Sequence, residues 1–288
     1  MPCPTPPPVT GRLAPTPSGD LHLGNALAFG AAWLSARAQG GRLLLRVEDL
    51  DRGRARPEVA ARQREDLRWL GVDWDEEVPP QSARRYTTEG LPCFRCACSR
   101  AARRGGACAC RGAGHPTGAV RFACPAEVVH YDDDFMGPQA WAPEADPILV
   151  RADGEAAYPL AVVVDDHRDG VTEVIRGADL LAATATQAHL SAALGLPRPR
   201  TGHVPLLLGP DGRKLSKSHG SMELRALRAL GWTPEQVWAL LLPLLGLPAG
   251  PRPAAPTRPG RLAPGPYVVD IDQRGVLRGI FTASAPID

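Results

Sequence analysis

The sequence lacks a strong charge imbalance, a long apolar run and an internal repeat. Its formal net charge is only +2 over 288 residues, so its bulk charge does not mark it as a nucleic-acid binder. The stretch VWALLLPLLGL is shorter than the ~18 apolar residues that a membrane span needs, and a proline interrupts it. The first residues carry no basic region before an apolar stretch, which a secretory signal would need. We therefore expect a cytoplasmic protein with no membrane partner.

The composition is that of a globular chain: 44% of the residues are hydrophobic and 22% are charged. A chain of this length can form one large domain, or a domain with an insertion. Its 30 glycines and 31 prolines concentrate near the two ends, in MPCPTPPP and in Leu247–Pro266. Seven cysteines in a cytoplasmic protein indicate metal ligands or reactive thiols rather than disulfides.

Predicted strands alternate with predicted helices, a pattern typical of a parallel sheet with crossover helices. The predicted strands are GRLA, GRLLLRVEDLD (Gly41–Asp51), AAYPLAVVVDDH and HVPLLLG. The predicted helices are NALAFGAAWLSARAQ, Arg56–Gly71 and ADLLAATATQAHLSAALGL. Residues 86–150 lose this rhythm and contain most of the cysteines, so they are interpreted as an insertion between two halves, residues 9–85 and 151–220.

After these halves we expect a helical segment, residues 221–247, and a poorly ordered proline-rich tail, residues 248–288. Within the tail, VVDIDQRGVLRGIF could form a terminal pair of strands.

The loop PTPSGDLHLGN (Pro15–Asn25) follows the first strand and precedes the first helix. Ligands of open α/β sheets bind at the carboxyl ends of strands, and a helix N-terminus offers N–H groups to anions. The loop residues that could form a phosphate pocket are Ser18, Gly19, His22, Gly24 and Asn25. Taken alone, such a stretch is more typical of an ordinary turn.

A second loop, GPDGRKLSKSHGS (Gly209–Ser221), carries two lysines and two serines after a strand. Lysines in this position could neutralise charge on a departing polyphosphate. KLSKS by itself is typical of a solvated basic turn, but its occurrence together with the first loop is much more specific.

The two loops together resemble the signatures of class I aminoacyl-tRNA synthetases. HLGN stands at the His-x-Gly-His signature and KLSKS at the Lys-Met-Ser-Lys-Ser signature. The resemblance narrows to the glutamyl branch, because four segments match it in order: GRLAPTPSGDLHLGN, LRVEDLDRGR, YPLAVVVDDHRDGVTEVIRGADLLAATATQ and HVPLLLGPDGRKLSKS. It implies an α/β fold with a Rossmann-type parallel sheet, a zinc-bearing insertion and a short helical C-terminal segment.

The resemblance also implies roles for individual residues. Free glutamate needs cations for two carboxylates and an acceptor for its ammonium group. The residues at the family's glutamate-binding positions are Arg12, Leu13, Ala14, Pro15, Thr16, Glu48, Tyr158 and Arg176. His22, Gly24 and Lys217 stand at ATP-binding positions. In catalysis, His22 and Asn25 would serve the phosphates on one side, and Lys214 and Lys217 on the other.

Two departures from glutamyl-tRNA synthetases are informative. About 70 residues follow KLSKS, too few for the helical anticodon-binding region, and Asn25 replaces the second signature histidine. A short synthetase with a cysteine-rich insertion is similar to the glutamyl-queuosine tRNA(Asp) synthetases. That family activates glutamate with ATP and Mg²⁺, without needing tRNA, and esterifies it onto queuosine at the wobble position of tRNA(Asp). The expected partners are therefore ATP, L-glutamate and queuosine-containing tRNA(Asp), with the enzyme acting as a monomer.

The insertion contains two Cys-x-Cys pairs, formed by Cys96, Cys98, Cys108 and Cys110. Four thiolates would complete a tetrahedral structural zinc site. The family's ligand set is a Cys-x-Cys pair followed by a tyrosine and a cysteine four residues apart. Because position 106 is glycine here, Cys108 is predicted as the substitute third ligand. Cys93 and Cys124 are alternates, and thiols without a metal are the other interpretation.

Three alternatives remain at the level of sequence. Asp165, Asp166 and His167 could form a metal-assisted hydrolase site, although a strand-end turn with local hydrogen bonds is favoured. The chain could also be a truncated glutamyl-tRNA synthetase that charges a tRNA 3′ end. A third interpretation is a non-catalytic module that binds a nucleotide, an amino acid or RNA.

Overall fold

A computed structural model describes residues 8–91, 93–95, 103–104, 107–108, 119–215, 222–263, 265–272 and 274–282. The first half contains β1 (Thr10–Leu13), α1 (Leu23–Ala38), β2 (Arg42–Leu45), α2 (Pro57–Trp69) and β3 (Glu76–Glu77). The insertion follows, with β4 (Cys93–Arg95), β5 (Arg103–Arg104), β6 (Ala107–Cys108), β7 (Val120–Phe122), β8 (Val129–Asp133), β9 (Gly137–Trp141) and β10 (Ile148–Val150). The second half contains α3 (Tyr158–Arg168), β11 (Glu173–Gly177), α4 (Leu181–Ala193), β12 (Arg200–Val204) and β13 (Leu207–Leu208). The chain ends with α5 (Leu224–Ala229), α6 (Pro234–Leu244), β14 (Tyr267–Ile271) and β15 (Leu277–Thr282).

The central strands are parallel, as the alternation of strands and helices predicts. β1 pairs with β2 and β2 with β3, while β11 pairs with β12. β1 and β11 lie side by side, because the backbone N–H of Thr172 donates to Thr10 O at 2.9 Å. The strand order is therefore β3–β2–β1–β11–β12. The strands of the first half are added on one side of β1, and those of the second half are added on the other side. A crevice at the carboxyl ends of strands around such a change of side is the usual ligand site of an open α/β sheet.

The main core forms between the sheet, α1 and the C-terminal helices. α1 is buried along most of its length, and its small residues allow close helix packing. A Cβ atom on Gly30 would lie 3.1 Å from the Trp238 ring of α6. Trp238 is fully buried, its ring centroid is 5.9 Å from that of Trp33, and its Nε1 donates to Leu70 O at 2.8 Å. Trp238 thus joins α6 to α1 and to the end of α2.

The insertion packs on the catalytic half at two places. Phe122 and Leu149 form a small core with Leu160 of α3 and Leu190 of α4. β8 and β9 form an antiparallel hairpin, and next to it the backbone N–H of Asp134 donates to Thr201 O on β12 at 2.8 Å. The hairpin therefore sits against the last strand of the parallel sheet.

The segment AAYPLAVVVDDH forms the helix α3, so its prediction as a strand is wrong. Pro159 stands in the first turn, where proline is well tolerated. Val162 and Val163 are buried in the small core with Phe122 and Leu149 of the insertion and Leu190 of α4. A continuous apolar run of this kind does not by itself distinguish a buried strand from a buried helix.

The other predicted elements are confirmed with different ends. The strand predicted over Gly41–Asp51 ends at Leu45, and HVPLLLG is divided between β12 and β13. In the described part of the chain, no helix combines the length and apolarity needed to cross a membrane.

The expectation of a poorly ordered tail is wrong for residues 248–263, 265–272 and 274–282. β14 pairs in parallel with β13 and antiparallel with β15, so the predicted terminal strand pair is confirmed. Leu262, Val269 and Ile271 are buried in the main core. Arg258 Nη2 pairs with Asp134 at 2.5 Å and with Glu173 at 3.2 Å. Core burial and ion pairs hold this segment to the domain despite its prolines.

We predict that Trp238→Ala lowers the free energy of unfolding by about 3–5 kcal/mol, because the vacated volume lies between α1 and α6. Urea unfolding followed by circular dichroism measures this change. Trp141→Ala is the matched control, since Trp141 on β9 is 36% exposed and its loss should cost about 1 kcal/mol or less. Equal losses for the two variants would contradict this description of the core.

Candidate active site

A cleft of about 400 Å³ opens at the carboxyl ends of β1, β11 and β12. We call it the central cleft. The sequence-predicted residues that line it are Arg12, Ala14, Thr16, His22, Gly24, Asn25, Glu48, Tyr158, Arg176 and Lys214. Pro15 lines an adjoining cleft with Thr16 and His22. Leu13 is fully buried in the main core, and its backbone carbonyl accepts from the N–H of Arg46 at 2.9 Å.

Two arginines from adjacent strands share one buried carboxylate beneath the central cleft. Arg46, directly after β2, is fully buried and places Nη2 2.6 Å from Asp166 Oδ1. Arg12 of β1 places Nε 3.4 Å from the same oxygen. Burial alone would lower the pKa of Arg46, but the charges of Asp166 and Glu48 outweigh it and raise that pKa. Both arginines therefore carry a charge in the interior.

Glu48 presents a buried acceptor to the central cleft. Its Oε1 lies 3.6 Å from Arg46 Nη2, beyond hydrogen-bond distance, and has no hydrogen-bond partner among the described residues. Burial raises the pKa of Glu48, while the charges of Arg46 and Arg12 oppose that rise. A buried carboxylate oxygen without a donor is costly, and an ammonium group in the cleft would satisfy it.

Arg176, at the end of β11, is held by neutral partners rather than by a carboxylate. Its Nη1 donates to Gln187 Oε1 and its Nη2 to Thr184 Oγ1, both at 2.8 Å. The Tyr158 hydroxyl lies 3.5 Å from Nη1 at the cleft side. Because these partners leave the positive charge uncompensated, Arg176 is suited to bind an anion that enters the cleft.

Another partner of Arg176 connects it to the insertion. Arg176 Nε donates to His203 Nε2 at 3.0 Å, and His203 Nδ1 lies 2.6 Å from Asp133 Oδ2. Burial lowers the pKa of His203. Burial also acts to raise the pKa of Asp133, but hydrogen bonds from the His203 ring and from the backbone N–H groups of Met136 and His203 lower it overall. Since arginine can only donate, the neutral ring carries its proton on Nδ1, donates to Asp133 and accepts from Arg176.

The loop predicted to bind phosphate is built around the N-terminus of α1. His22 is the N-cap: its Nδ1 accepts from the Asn25 N–H at 3.3 Å, and Asn25 Oδ1 accepts from the His22 N–H at 3.1 Å. This reciprocal capping leaves the His22 ring proton on Nε2. Gln63, buried on α2, donates from Nε2 to Thr16 O at 3.0 Å and to Gly19 O at 2.7 Å. The loop is thus fixed at both ends.

Of the two signature lysines, the structure describes only Lys214. Lys214 lines the central cleft, and its Nζ pairs with Asp179. Lys217 lies outside the described residues. Both flanks of that gap are anchored, because Leu215 and Met222 are buried and Leu224 N–H donates to Leu21 O at 2.7 Å. The described residues on both sides of this gap therefore lie beside the start of α1.

The chain matches the family model described as "tRNA synthetases class I (E and Q), catalytic domain" over residues 8–112 and 111–251. A glutamyl-Q tRNA(Asp) synthetase of Symbiobacterium thermophilum is 44% identical, over 85% of this chain and 89% of the relative. Another, of Nocardia farcinica, is 42% identical over 90% and 92%. The chain belongs to the glutamyl-Q tRNA(Asp) synthetase family.

The structural comparison agrees with membership of the glutamyl-Q tRNA(Asp) synthetase family. The glutamate-tRNA synthetase of Elizabethkingia anophelis superposes with a TM-score of 0.62 at 26% identity, covering 74% of this chain. The chain spans 53% of the length of that solved structure. Its α/β fold is therefore the class I aminoacyl-tRNA synthetase catalytic fold.

The zinc ligands predicted for this family member lie almost wholly outside the described residues. Cys96, Cys98 and Cys110 are outside them, and only the backbone of Cys108 is described, in β6. Of the alternates, Cys93 is described by its backbone in β4, and Cys124 is buried with Phe122 and Leu149. Among the residues with described side chains, no three or more His, Cys, Asp or Glu form a group that could hold a metal. Zinc remains a prediction from the sequence.

Asp165 and Asp166 lie inside α3, so the strand-end turn with local hydrogen bonds is wrong. Asp165 is fully buried and accepts from the Tyr86 hydroxyl at 2.7 Å and from Arg84 Nη1 at 3.1 Å. Asp166 pairs with Arg12 and Arg46, as described above. These contacts join residues that are far apart in the sequence. The described residues do not form there the metal site that the hydrolase alternative requires.

Sequence reasoning missed Arg46, Asp133, His203, Gln187 and Gln63. A weak signal existed for Arg46, which stands two positions before Glu48 in a matched segment. His203 likewise stands in a segment that the resemblance includes, but nothing local indicates its partner Asp133. These five residues do not line the central cleft. They contact the predicted site residues or their loop and hold them in position.

We predict that His203 makes stability fall with acidification. Because its folded pKa is lowered, the unfolded chain binds a proton more readily below about pH 6.5, and the free energy of unfolding falls as pH decreases from there toward the folded pKa. His203→Asn should give a shallower decline between pH 7 and 5 in urea unfolding.

His130→Asn is the control, since His130 is exposed on β8, and its decline should match that of the unmodified protein. A decline in His203→Asn as steep as in the unmodified protein would contradict the assignment. A long-range ¹H–¹⁵N spectrum of the unmodified protein provides a second test, in which the ring should be neutral with its proton on Nδ1 at pH 7.5.

Proposed function

We propose that this protein activates L-glutamate with ATP and transfers the glutamyl group to queuosine at the wobble position of tRNA(Asp). It would act as an aminoacyl-tRNA synthetase-like ligase in the cytoplasm, as a monomer. One observation carries the proposal: two buried arginines and an unsatisfied buried carboxylate face one cleft beside the N-terminus of α1. That set of charges is complementary to a free glutamate next to a nucleotide polyphosphate.

In this proposal Arg12 and Arg176 supply the cations for the two carboxylates of glutamate. Tyr158 and Thr16 complete the pocket, and Glu48 accepts from the substrate ammonium group. Arg176 lacks a carboxylate partner within the described chain, so a ligand with a neutral amide at its end would leave a desolvated charge unpaired. Such an unpaired charge is strongly unfavourable, which is the physical basis for selecting glutamate over glutamine.

The first step is attack by an α-carboxylate oxygen of glutamate on the α-phosphorus of ATP. A new P–O bond forms, the bond to the β-phosphate oxygen breaks, and pyrophosphate leaves with that electron pair. His22 Nε2–H, the N-terminus of α1 beside Gly24, and Asn25 would bind phosphate oxygens on one side. Lys214 and Lys217 would neutralise the charge on the other side, with Lys217 contacting ATP. Catalysis of this kind is positioning and charge stabilisation.

In the second step a hydroxyl of the queuosine cyclopentene diol attacks the glutamyl carbonyl carbon. The ester bond forms, the bond to the phosphate oxygen breaks, AMP leaves, and the hydroxyl proton is lost to AMP or to solvent. Mg²⁺ would enter with ATP, held by its phosphates and by water. A zinc ion on Cys96, Cys98, Cys108 and Cys110 would stabilise the insertion without taking part in these steps.

The test is incorporation of labelled glutamate into purified tRNA(Asp) with and without queuosine. Label should appear only on the queuosine-containing tRNA and should persist on tRNA from which the 3′-terminal adenosine has been removed. Prior treatment with periodate, which cleaves vicinal diols, should abolish it. Label that appears on tRNA(Glu) regardless of queuosine and disappears with the 3′ end would instead make this a minimal glutamyl-tRNA synthetase. Ligand binding without any adenylate formation would indicate a non-catalytic module.

A further inference from the structure

A second, more open cleft of about 560 Å³ lies beside the central cleft. Three of its lining residues are Arg52, Arg56 and Arg64, so we call it the arginine cleft. We propose that it binds backbone phosphates of the tRNA anticodon loop while the modified base occupies the central cleft. This inference rests on the proposed function, and it assigns the surface through which the nucleic-acid substrate is held.

The arginine cleft is a local concentration of positive charge in a chain with a net charge of only +2. One carboxylate, that of Asp49, lies among its lining residues. Both oxygens of that carboxylate are already engaged by Ser82: Oδ1 accepts from the backbone N–H at 2.7 Å and Oδ2 from the hydroxyl at 2.6 Å. Asp49 is therefore turned toward the wall of the cleft, where its charge is partly satisfied.

Two of the three arginines are available to an incoming anion. Arg56 forms no ion pair with a described carboxylate, and its Nη1 donates to the backbone carbonyls of Gly53 and Ala55, both at 3.0 Å. Arg52 is 63% exposed and lies 3.4 Å from an exposed Glu155 oxygen. Arg64 is only 25% exposed and contacts the Glu77 carboxylate through both Nε and Nη2, so it is less available. An exposed pair with a single contact, such as Arg52–Glu155, contributes about 0–1 kcal/mol, so phosphate oxygens can compete with that carboxylate.

The position of the arginine cleft relates it directly to the proposed reaction. Its lining residues Val47 and Asp49 flank Glu48, whose side chain faces the central cleft. In extended backbone, successive side chains point to opposite sides, so one stretch of chain separates the two clefts. The Arg56 N–H donates to Pro17 O at 2.9 Å, which joins the arginine-rich loop to the phosphate-binding loop. A nucleotide strand in the arginine cleft would pass within one backbone thickness of the amino acid.

An open cleft suits an extended polyanion better than a small metabolite, because a phosphate backbone can enter and leave along its length. Nucleic-acid binding proteins obtain much of their affinity from such arginine–phosphate contacts. The proposed function assigns ATP to a separate place, at the N-terminus of α1 and Lys214 in the central cleft. The arginine cleft is therefore assigned to RNA.

The experiment compares Arg52→Ala, Arg56→Ala and the double variant with the unmodified protein. The control is Arg274→Ala, an exposed arginine in the turn between β14 and β15. The double variant should keep tRNA-free ATP–pyrophosphate exchange with glutamate, while its KM for queuosine-containing tRNA(Asp) rises about tenfold. The salt dependence of tRNA binding should become shallower by about 0.7 in log–log slope for each phosphate that is no longer neutralised. The control should change neither quantity.

Unchanged KM and salt slope for tRNA in the double variant would overturn the inference, as would a rise in the KM for ATP instead. The side chain of Arg52 is well exposed, so Arg52→Ala provides a variant that should fold normally if the double variant does not. Absence of exchange in the unmodified protein would refute the proposed function itself, so the two failures are distinguishable.

Discussion

The structure depends above all on the buried carboxylate of Asp166, which Arg12 and Arg46 share. Burying charges is costly, and breaking a buried ion pair by removing one partner costs about 3–5 kcal/mol. The arrangement persists because it joins three elements: β1, the end of β2, and α3. It also fixes the electrostatics of the central cleft, since the same arginines oppose the burial that raises the pKa of Glu48. The same ion pairs thus join elements of the fold and set the charges around the central cleft.

A second connection makes the insertion part of the site. Asp133 of the hairpin holds His203, and His203 accepts from the Arg176 guanidinium. The described partners of the Arg176 guanidinium are an imidazole, hydroxyls, an amide and a backbone carbonyl, with no carboxylate among them. A guanidinium with such partners is suited to bind an anionic ligand. The insertion therefore positions a residue of the central cleft as well as covering α3 and α4.

The sequence predicts the site better than it predicts the elements that support it. Arg12, Glu48, Tyr158 and Arg176 line one cleft, as expected, because the carboxyl ends of parallel strands meet at one edge of the sheet. The valine-rich helix α3 was not predictable by periodicity, because a continuous apolar run does not distinguish a buried helix from a buried strand. Residues that act through distant partners, such as His203 with Asp133 across 70 positions, leave no local pattern. The tail illustrates the same limit, because its order comes from β13 and the core rather than from its own composition.

The central claim is that the charges of the cleft select free glutamate for activation before tRNA binds. ATP–pyrophosphate exchange in the absence of tRNA tests it most directly, with L-glutamate and L-glutamine compared at equal concentrations near neutral pH. The account predicts exchange with glutamate and at least ~100-fold less with glutamine, because an amide leaves the charge of Arg176 unpaired. Equal exchange with the two amino acids, or exchange that requires tRNA, would contradict it.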